Sequence, residues 1–207
     1  MNLYDINTVN KILSRHGFTF SKALGQNFLI DPDVCPEMAA SLNANEHTAA
    51  LEIGPGIGVL TKELCKVCGK VACIELDKRL FSVLDETLGE FDNLKIIEGD
   101  ALKMDLKSLI ETEFKGMNSV KVCANLPYYI TSPLIMKLLE SKLPVDDIVV
   151  MVQKEAAERL CAPIGSRECG AVTVAANYYA EPEMLFDVGR EAFMPSPKVD
   201  SAVMRLK

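Results

Sequence analysis

From residue 48 onward, short apolar runs alternate with amphipathic segments: AALEIG (49–54), GVLTKELCKV (58–67), KVACIEL (70–76), KRLFSVLDETL (78–88), LKIIEG (94–99), DLKSLIETEF (105–114) and SVKVCAN (119–125). A strand that is almost wholly apolar must be covered on both faces. Helices between such strands supply the cover, so the pattern demands a parallel sheet inside a doubly wound α/β domain. The same reading places a helix at about 132–142, a strand over DDIVVMV (146–152), helices near 154–161 and 168–179, and closing strands at about 183–189 and 199–206. No repeat, low-complexity stretch or linker interrupts the 207 residues, which are expected to form one domain.

The stretch before this alternation is basic. Residues 6–30 contain Lys11, Arg15 and Lys22 and no acid, so residues 1–30 form a basic arm. Within it Ile6, Val9, Ile12 and Leu13 recur at helical spacing behind Asp5, and Gly17 is a stop signal, predicting a helix over 5–16. Asp31-Pro32 supplies an N-cap and a proline at the first helical position for a second helix that runs to about Leu42.

Over the whole chain 22 Lys plus Arg face 29 Asp plus Glu, and a net charge of −7 excludes a protein that coats nucleic acid by bulk charge. Seven cysteines, an odd number at scattered positions, do not form a disulfide framework, which points to a reducing cytoplasmic setting. No apolar run approaches the roughly 20 residues of a membrane span, and the opening MNLYDINTVNKIL lacks the apolar stretch of a signal peptide. No membrane association is expected. Cys65, Cys68 and Cys73, with His16 and His47 far off in sequence, do not make a metal site, and no metal is expected either.

Leu51-Glu52-Ile53-Gly54-Pro55-Gly56-Ile57-Gly58 lies where the first strand of the alternation turns into a helix, and such a turn lets a ligand approach bare backbone. Tight strand-to-helix turns also use glycine for purely structural reasons. Glu75 ends the second strand, 21 residues after Gly54, where a carboxylate can accept both hydroxyls of a ribose. The spacing G-x-G-x-G and Pro55, which has no N–H, suit a pyrophosphate poorly. S-adenosylmethionine (SAM), which carries no phosphate, fits better. Asp100, at the end of the third strand, either accepts from the adenine amine of such a ligand or caps the helix that follows.

Asn125-Leu126-Pro127-Tyr128 follows the fourth strand at the same sheet edge. An exocyclic adenine amine is a weak nucleophile, and a site that alkylates it needs acceptors for its two N–H bonds. The Asn125 side-chain oxygen is one. A main-chain carbonyl of the turn, held by the restriction that Pro127 places on Leu126, is the second. Tyr128 offers a ring for an extruded base to stack on, and Phe193 can cover its other face; alone, each is equally explained by packing.

The segments KALGQNFLID (22–31), LEIGPGIGVLTKEL (51–64), Glu75, GDA (99–101), NLPYYITSPLI (125–135), VQKEAAERL (152–160) and FMPSPKVDSAV (193–203) resemble the ribosomal RNA adenine N6,N6-dimethyltransferases, and are most similar to their small-subunit branch. The resemblance implies a class I SAM-dependent methyltransferase fold: a Rossmann-like, mostly parallel seven-stranded sheet with an antiparallel last strand. It implies SAM as cofactor, and up to two methyl groups on each of two adjacent adenosines near the 3′ end of small-subunit rRNA, in an assembling ribosomal particle. By position, Asn27 and Leu29 would line the SAM pocket, with Gly54, Gly56, Glu75, Asp100, Ala101 and Asn125 as further contacts. The catalytic set would be Asn125, Leu126, Pro127, Tyr128 and Phe193, and the basic arm would face RNA.

The large-subunit, macrolide-resistance type shares nearly the same motifs; Tyr129 after Tyr128 and the ending MPSPKVDSAV favour the small-subunit type. Leu126 argues against DNA adenine and protein glutamine methyltransferases, where Asn-Pro-Pro-Tyr is usual. A ribosome-assembly factor whose binding outweighs its methylation is a further alternative. Family members usually continue into a smaller helical domain, whereas this sequence stops at Met204-Arg205-Leu206-Lys207, so a truncated form is expected. A monomer is the default.

Overall fold

The computed structural model describes residues 1–21 and 25–207. Its helices are α1 (Ile6–Arg15), α2 (Val34–Ser41), α3 (Val59–Val67), α4 (Phe81–Leu88), α5 (Leu106–Glu113), α6 (Thr131–Glu140), α7 (Lys154–Leu160) and α8 (Ala171–Tyr179). Its strands are β1 (Phe28–Leu29), β2 (Thr48–Ile53), β3 (Lys70–Glu75), β4 (Leu94–Glu98), β5 (Ser119–Asn125), β6 (Asp147–Gln153), β7 (Pro182–Val188), β8 (Phe193–Met194) and β9 (Ser201–Leu206). Seven strands form one sheet in the order β4-β3-β2-β5-β6-β9-β7. β9, the last in sequence, runs antiparallel to both β6 and β7, and the other pairs are parallel.

Alternation along the strands builds a core on each face of the sheet. Ala50, Cys73, Cys123, Val149, Met151 and Val203 turn toward α1, α2, α3 and α4. Their neighbours Leu51, Ile74, Ala124, Val150 and Met204 turn toward α5, α6, α7 and α8. β2 is buried at every position, Thr48 and Glu52 included.

The expected elements are present, with shifted boundaries. α1 starts behind Asp5, whose carboxylate accepts the Thr8 N–H at 2.9 Å, and Gly17 follows it at φ +61°. The second helix does not open at Asp31-Pro32. The Asp31 carboxylate instead accepts the Asp33 N–H at 2.9 Å, closing a turn that delays α2 to Val34. α8 likewise begins at Ala171, where the Gly170 N–H donates to the Thr173 hydroxyl at 2.9 Å.

The first helix is not a loose arm. Leu3, Val9, Ile12 and Leu13 are buried in the core of the α1 to α4 face, and Arg15 and His16 both bond to Glu86 on α4. Lys11 is exposed, and Lys22 lies outside the described residues. Among the described residues, no helix is long and apolar enough to cross a membrane.

Two features place the functional edge. The strand order reverses at β2, between β3 and β5, so the loops leaving these strands diverge and open a crevice at their carboxyl ends. The antiparallel pair β1 and β8 then joins Phe28 to Met194 and Leu29 to Phe193 beside that crevice. Neither two-residue strand is legible from periodicity, because a pattern needs more residues than these possess.

Candidate active site

The glycine turn after β2 is held open by its backbone. Gly54 and Gly56 have φ of +72° and +60°, a region that side chains disfavour. A Cβ on Gly56 would stand 3.2 Å from two carbons of the Phe28 ring, so β1 lies directly against the turn. Pro55 has no N–H, and the Gly58 N–H is used on the Pro55 carbonyl at 2.9 Å. The start of α3 therefore presents few free donors to an anion.

Glu75 is buried at the end of β3. Burial pushes its pKa up, opposed by the N–H groups of Asp77, Gly56 and Leu76, and the Asp77 N–H lies 2.8 Å from Oε1. Asp77 in turn gathers the Arg79 guanidinium (2.8 and 2.6 Å) and the Gln26 amide (2.8 Å), and the Arg79 side chain holds the Asp77 carboxyl below its usual range. The segment before β1 is thus tied to the loop that carries Glu75. Asp100 does not cap a helix: residues 101–103 form a turn, and its carboxylate accepts the Leu102 N–H at 3.0 Å.

A second carboxylate at the site is one that motif reading passed over. Glu52, within β2 and 1% exposed, is pushed up to about 7 by burial, against hydrogen bonds from Thr61 and the Cys73 thiol, with nearby Glu75 adding to the rise. Cys73 Sγ lies 3.3 Å from Glu52 Oε2. The available signal was an acid at an interior position of an otherwise apolar strand. Leu76 was missed for a different reason. It lines the same space while 48% exposed, and exposure of an apolar residue is not written in a sequence.

Asn125 ends β5, and the Leu126 N–H is anchored to the Met151 carbonyl of β6 at 3.0 Å. Pro127 then leads into a short 3-10 turn over 128–130. The Tyr128 hydroxyl is not left to water: it bonds the Ser201 hydroxyl at 2.7 Å, while burial raises its pKa. Tyr129 is 53% exposed, and its ring lies 3.4 Å from where a Cβ on Gly25 would stand. Phe193, on β8, is buried and faces the same crevice.

One cavity of about 250 Å³ collects these parts. Asn27, Leu29, Gly54, Gly56, Glu75, Asp100, Ala101, Asn125, Leu126, Pro127, Tyr128 and Phe193 all line it. Its charged lining is Glu52, Glu75 and Asp100, and among the described residues no Lys, Arg or His joins them. Such a wall repels phosphates and suits a cation. SAM, a sulfonium with an ammonium group, a ribose and an adenine, fits this donor and acceptor set; a dinucleotide does not. Among the described residues no cluster of His, Cys, Asp and Glu has a geometry that holds a metal ion.

Comparison with known proteins agrees with this chemistry. The family model described as Ribosomal RNA adenine dimethylase matches residues 17–207. The Ribosomal RNA small subunit methyltransferase A of Geobacillus thermodenitrificans is 48% identical over 196 residues, covering 95% of this chain and 67% of the relative. The crystal structure of a dimethyladenosine transferase from Plasmodium falciparum superposes with a TM-score of 0.75 at 32% identity, covering 86% of this chain and 62% of that one. The 23S rRNA methyltransferase ErmE gives 0.74 at 30% identity, with 87% and 69% covered. The chain thus spans about two thirds of the length of such relatives. With the crevice at the strand reversal, the carboxylate wall and Asn-Leu-Pro-Tyr in its lining, these similarities lead to one conclusion: the chain belongs to the ribosomal RNA adenine dimethylase family of SAM-dependent methyltransferases.

Proposed function

We propose that this chain, as one methyltransferase domain, dimethylates N6 of two adjacent adenosines near the 3′ end of small-subunit rRNA, acting as a monomer on an assembling particle in the cytoplasm. The observation that carries the reading is one cavity whose charged lining, among the described residues, is acidic and whose lining includes Asn125 to Tyr128 and Phe193. The small-subunit target is supported by curated relatives at 44–48% identity that bear the small-subunit name, against 30% for the 23S enzyme.

Glu75 accepts the ribose hydroxyls, Asp100 the cofactor's adenine amine, and Asn27 and Leu29 close the side beneath β8. Glu52, below the glycine turn, adds negative charge that favours a cationic ligand. When bound between Glu75, Asp100 and the glycine turn, SAM would supply a methyl group on cationic sulfur and leave as the neutral thioether, and the alkylated N6 would give up one proton to water. The Asn125 side-chain oxygen and the Leu126 carbonyl hold the two N–H bonds of the target amine and aim its nitrogen. Tyr128 and Phe193 take the extruded base between their rings.

Incubation of undermethylated small subunits with the chain and SAM, followed by nucleoside mass spectrometry, tests this. N6,N6-dimethyladenosine at the adjacent adenines is expected, and Asn125→Ala should reduce it at least 100-fold. Methylation of large-subunit rRNA instead would overturn the substrate assignment.

A further inference from the structure

Tyr128 and Ser201 are 73 residues apart in sequence and bonded hydroxyl to hydroxyl at 2.7 Å. Ser201 is fully buried, and its backbone pairs with Gln153 of β6 on one side and Val188 of β7 on the other. The residue before it is fixed as well. The Asp200 carbonyl accepts the Lys154 N–H and its carboxylate the Arg190 N–H, each at 3.0 Å. Tyr128 begins a short turn on a loop and is only partly buried. A ring so placed can swing about its Cα–Cβ bond. The phenol oxygen lies on the axis from Cβ through the ring, so a rigid partner at that oxygen pins the axis. It also occupies the hydroxyl, leaving Tyr128 only its faces to offer a base.

We propose that Ser201 is a positioning residue for the target adenine, holding the Tyr128 ring as a fixed platform through both methyl transfers. This rests on the reading of Tyr128 as the surface on which the base stacks. The demand is greater in the second transfer. Adenine presents two N–H bonds to Asn125 and the Leu126 carbonyl, whereas N6-methyladenine presents one, so stacking carries more of the placement. A loosened ring therefore slows the second step more than the first.

The test uses the full chain on undermethylated small subunits and compares wild type, Ser201→Ala, Tyr128→Phe and the double variant. Each single variant should slow transfer about five- to tenfold, the range of one neutral hydrogen bond. Each should also raise the ratio of N6-methyladenosine to N6,N6-dimethyladenosine, and the double variant should be no slower than either single one. SAM affinity, measured by calorimetry, should stay within about twofold, because the bond lies on the substrate side. A wild-type product ratio in Ser201→Ala, multiplicative losses in the double variant, or a parallel loss of SAM affinity would each overturn the proposal. If Ser201→Ala fails to fold, Tyr128→Phe decides alone: an unchanged ratio there sinks the idea. Wild-type protein that leaves the subunits unmethylated would remove the functional reading and this inference with it.

Discussion

The Asp77 N–H donates to the Glu75 carboxylate at 2.8 Å while the Asp77 carboxylate receives the Gln26 amide at 2.8 Å, so one residue joins Glu75, the proposed ribose acceptor, to the segment that enters β1. Gln26→Ala removes that tie, and with it the Gln26 bond to the Ser21 N–H. SAM affinity is expected to fall about three- to tenfold, as for the loss of one ordinary hydrogen bond of about 1 kcal/mol, because the tie acts on the site only through Asp77. Isothermal titration of SAM checks this, and an unchanged dissociation constant would show that the tie serves packing alone.

Gly56→Ala strains a backbone at φ +60° and drives a methyl group toward the Phe28 ring. The strain alone is about 1–2 kcal/mol, a fall in melting midpoint of roughly 2–8 °C for a chain of this size. Because Phe28 must move and β1 with it, SAM binding should weaken at least tenfold. Calorimetric melts and titrations report the two effects separately.

Glu75→Ala deletes both carboxylate oxygens proposed to accept the ribose hydroxyls. Loss of charge-assisted bonds predicts SAM binding weaker by about 10- to 100-fold. Glu75→Gln, which keeps one oxygen, should fall between that variant and wild type in equilibrium dialysis.

Stability should depend on pH through Glu52. In the unfolded chain this carboxyl ionises near 4.5, whereas in the folded, ligand-free protein it holds its proton up to about 7. The folded state binds more protons between these values, so stability is greatest below about 4.5 on this account and declines as pH rises to about 7. The full effect is roughly 3 kcal/mol, and Glu75, also raised by burial, acts in the same direction. Glu52→Gln should flatten the slope in denaturant titrations between pH 5 and 8.

Ligand binding should reverse the sign. A cation beside Glu52 and Glu75 favours their charged forms, so SAM binding near pH 6.5 should release protons and affinity should climb as pH rises toward 7.5. Binding enthalpies in buffers of different ionisation heat measure the release, and its loss in Glu52→Gln would assign it.

What a reader of the sequence can see follows from how far a signal extends. The alternation of AALEIG, KVACIEL, LKIIEG and SVKVCAN reveals the sheet because buried parallel strands leave long apolar marks. Gly54, Glu75, Asp100 and Asn125 are visible as strand-end residues once those strands are placed. The helix start at Val34 was hidden because Asp31 serves a turn as readily as a cap. The pairing of Leu29 with Phe193 leaves no local trace at all, since it joins two dipeptides across most of the chain. The bond between Arg15, in the arm expected to face RNA, and Glu86 leaves no local trace either, since the two lie 71 residues apart.

The same β1 to β8 ladder sets an order of assembly during synthesis. The glycine turn, Glu75, Asp100 and Asn125 have all left the ribosome while Phe193 is still to be made, so a nascent chain carries most of the cavity's lining without the residue that completes it. Ser201, which steadies Tyr128, arrives later still. The pair of rings proposed to hold the base is thus complete only once Phe193 and Ser201 have been made, after every other residue of the cavity named here.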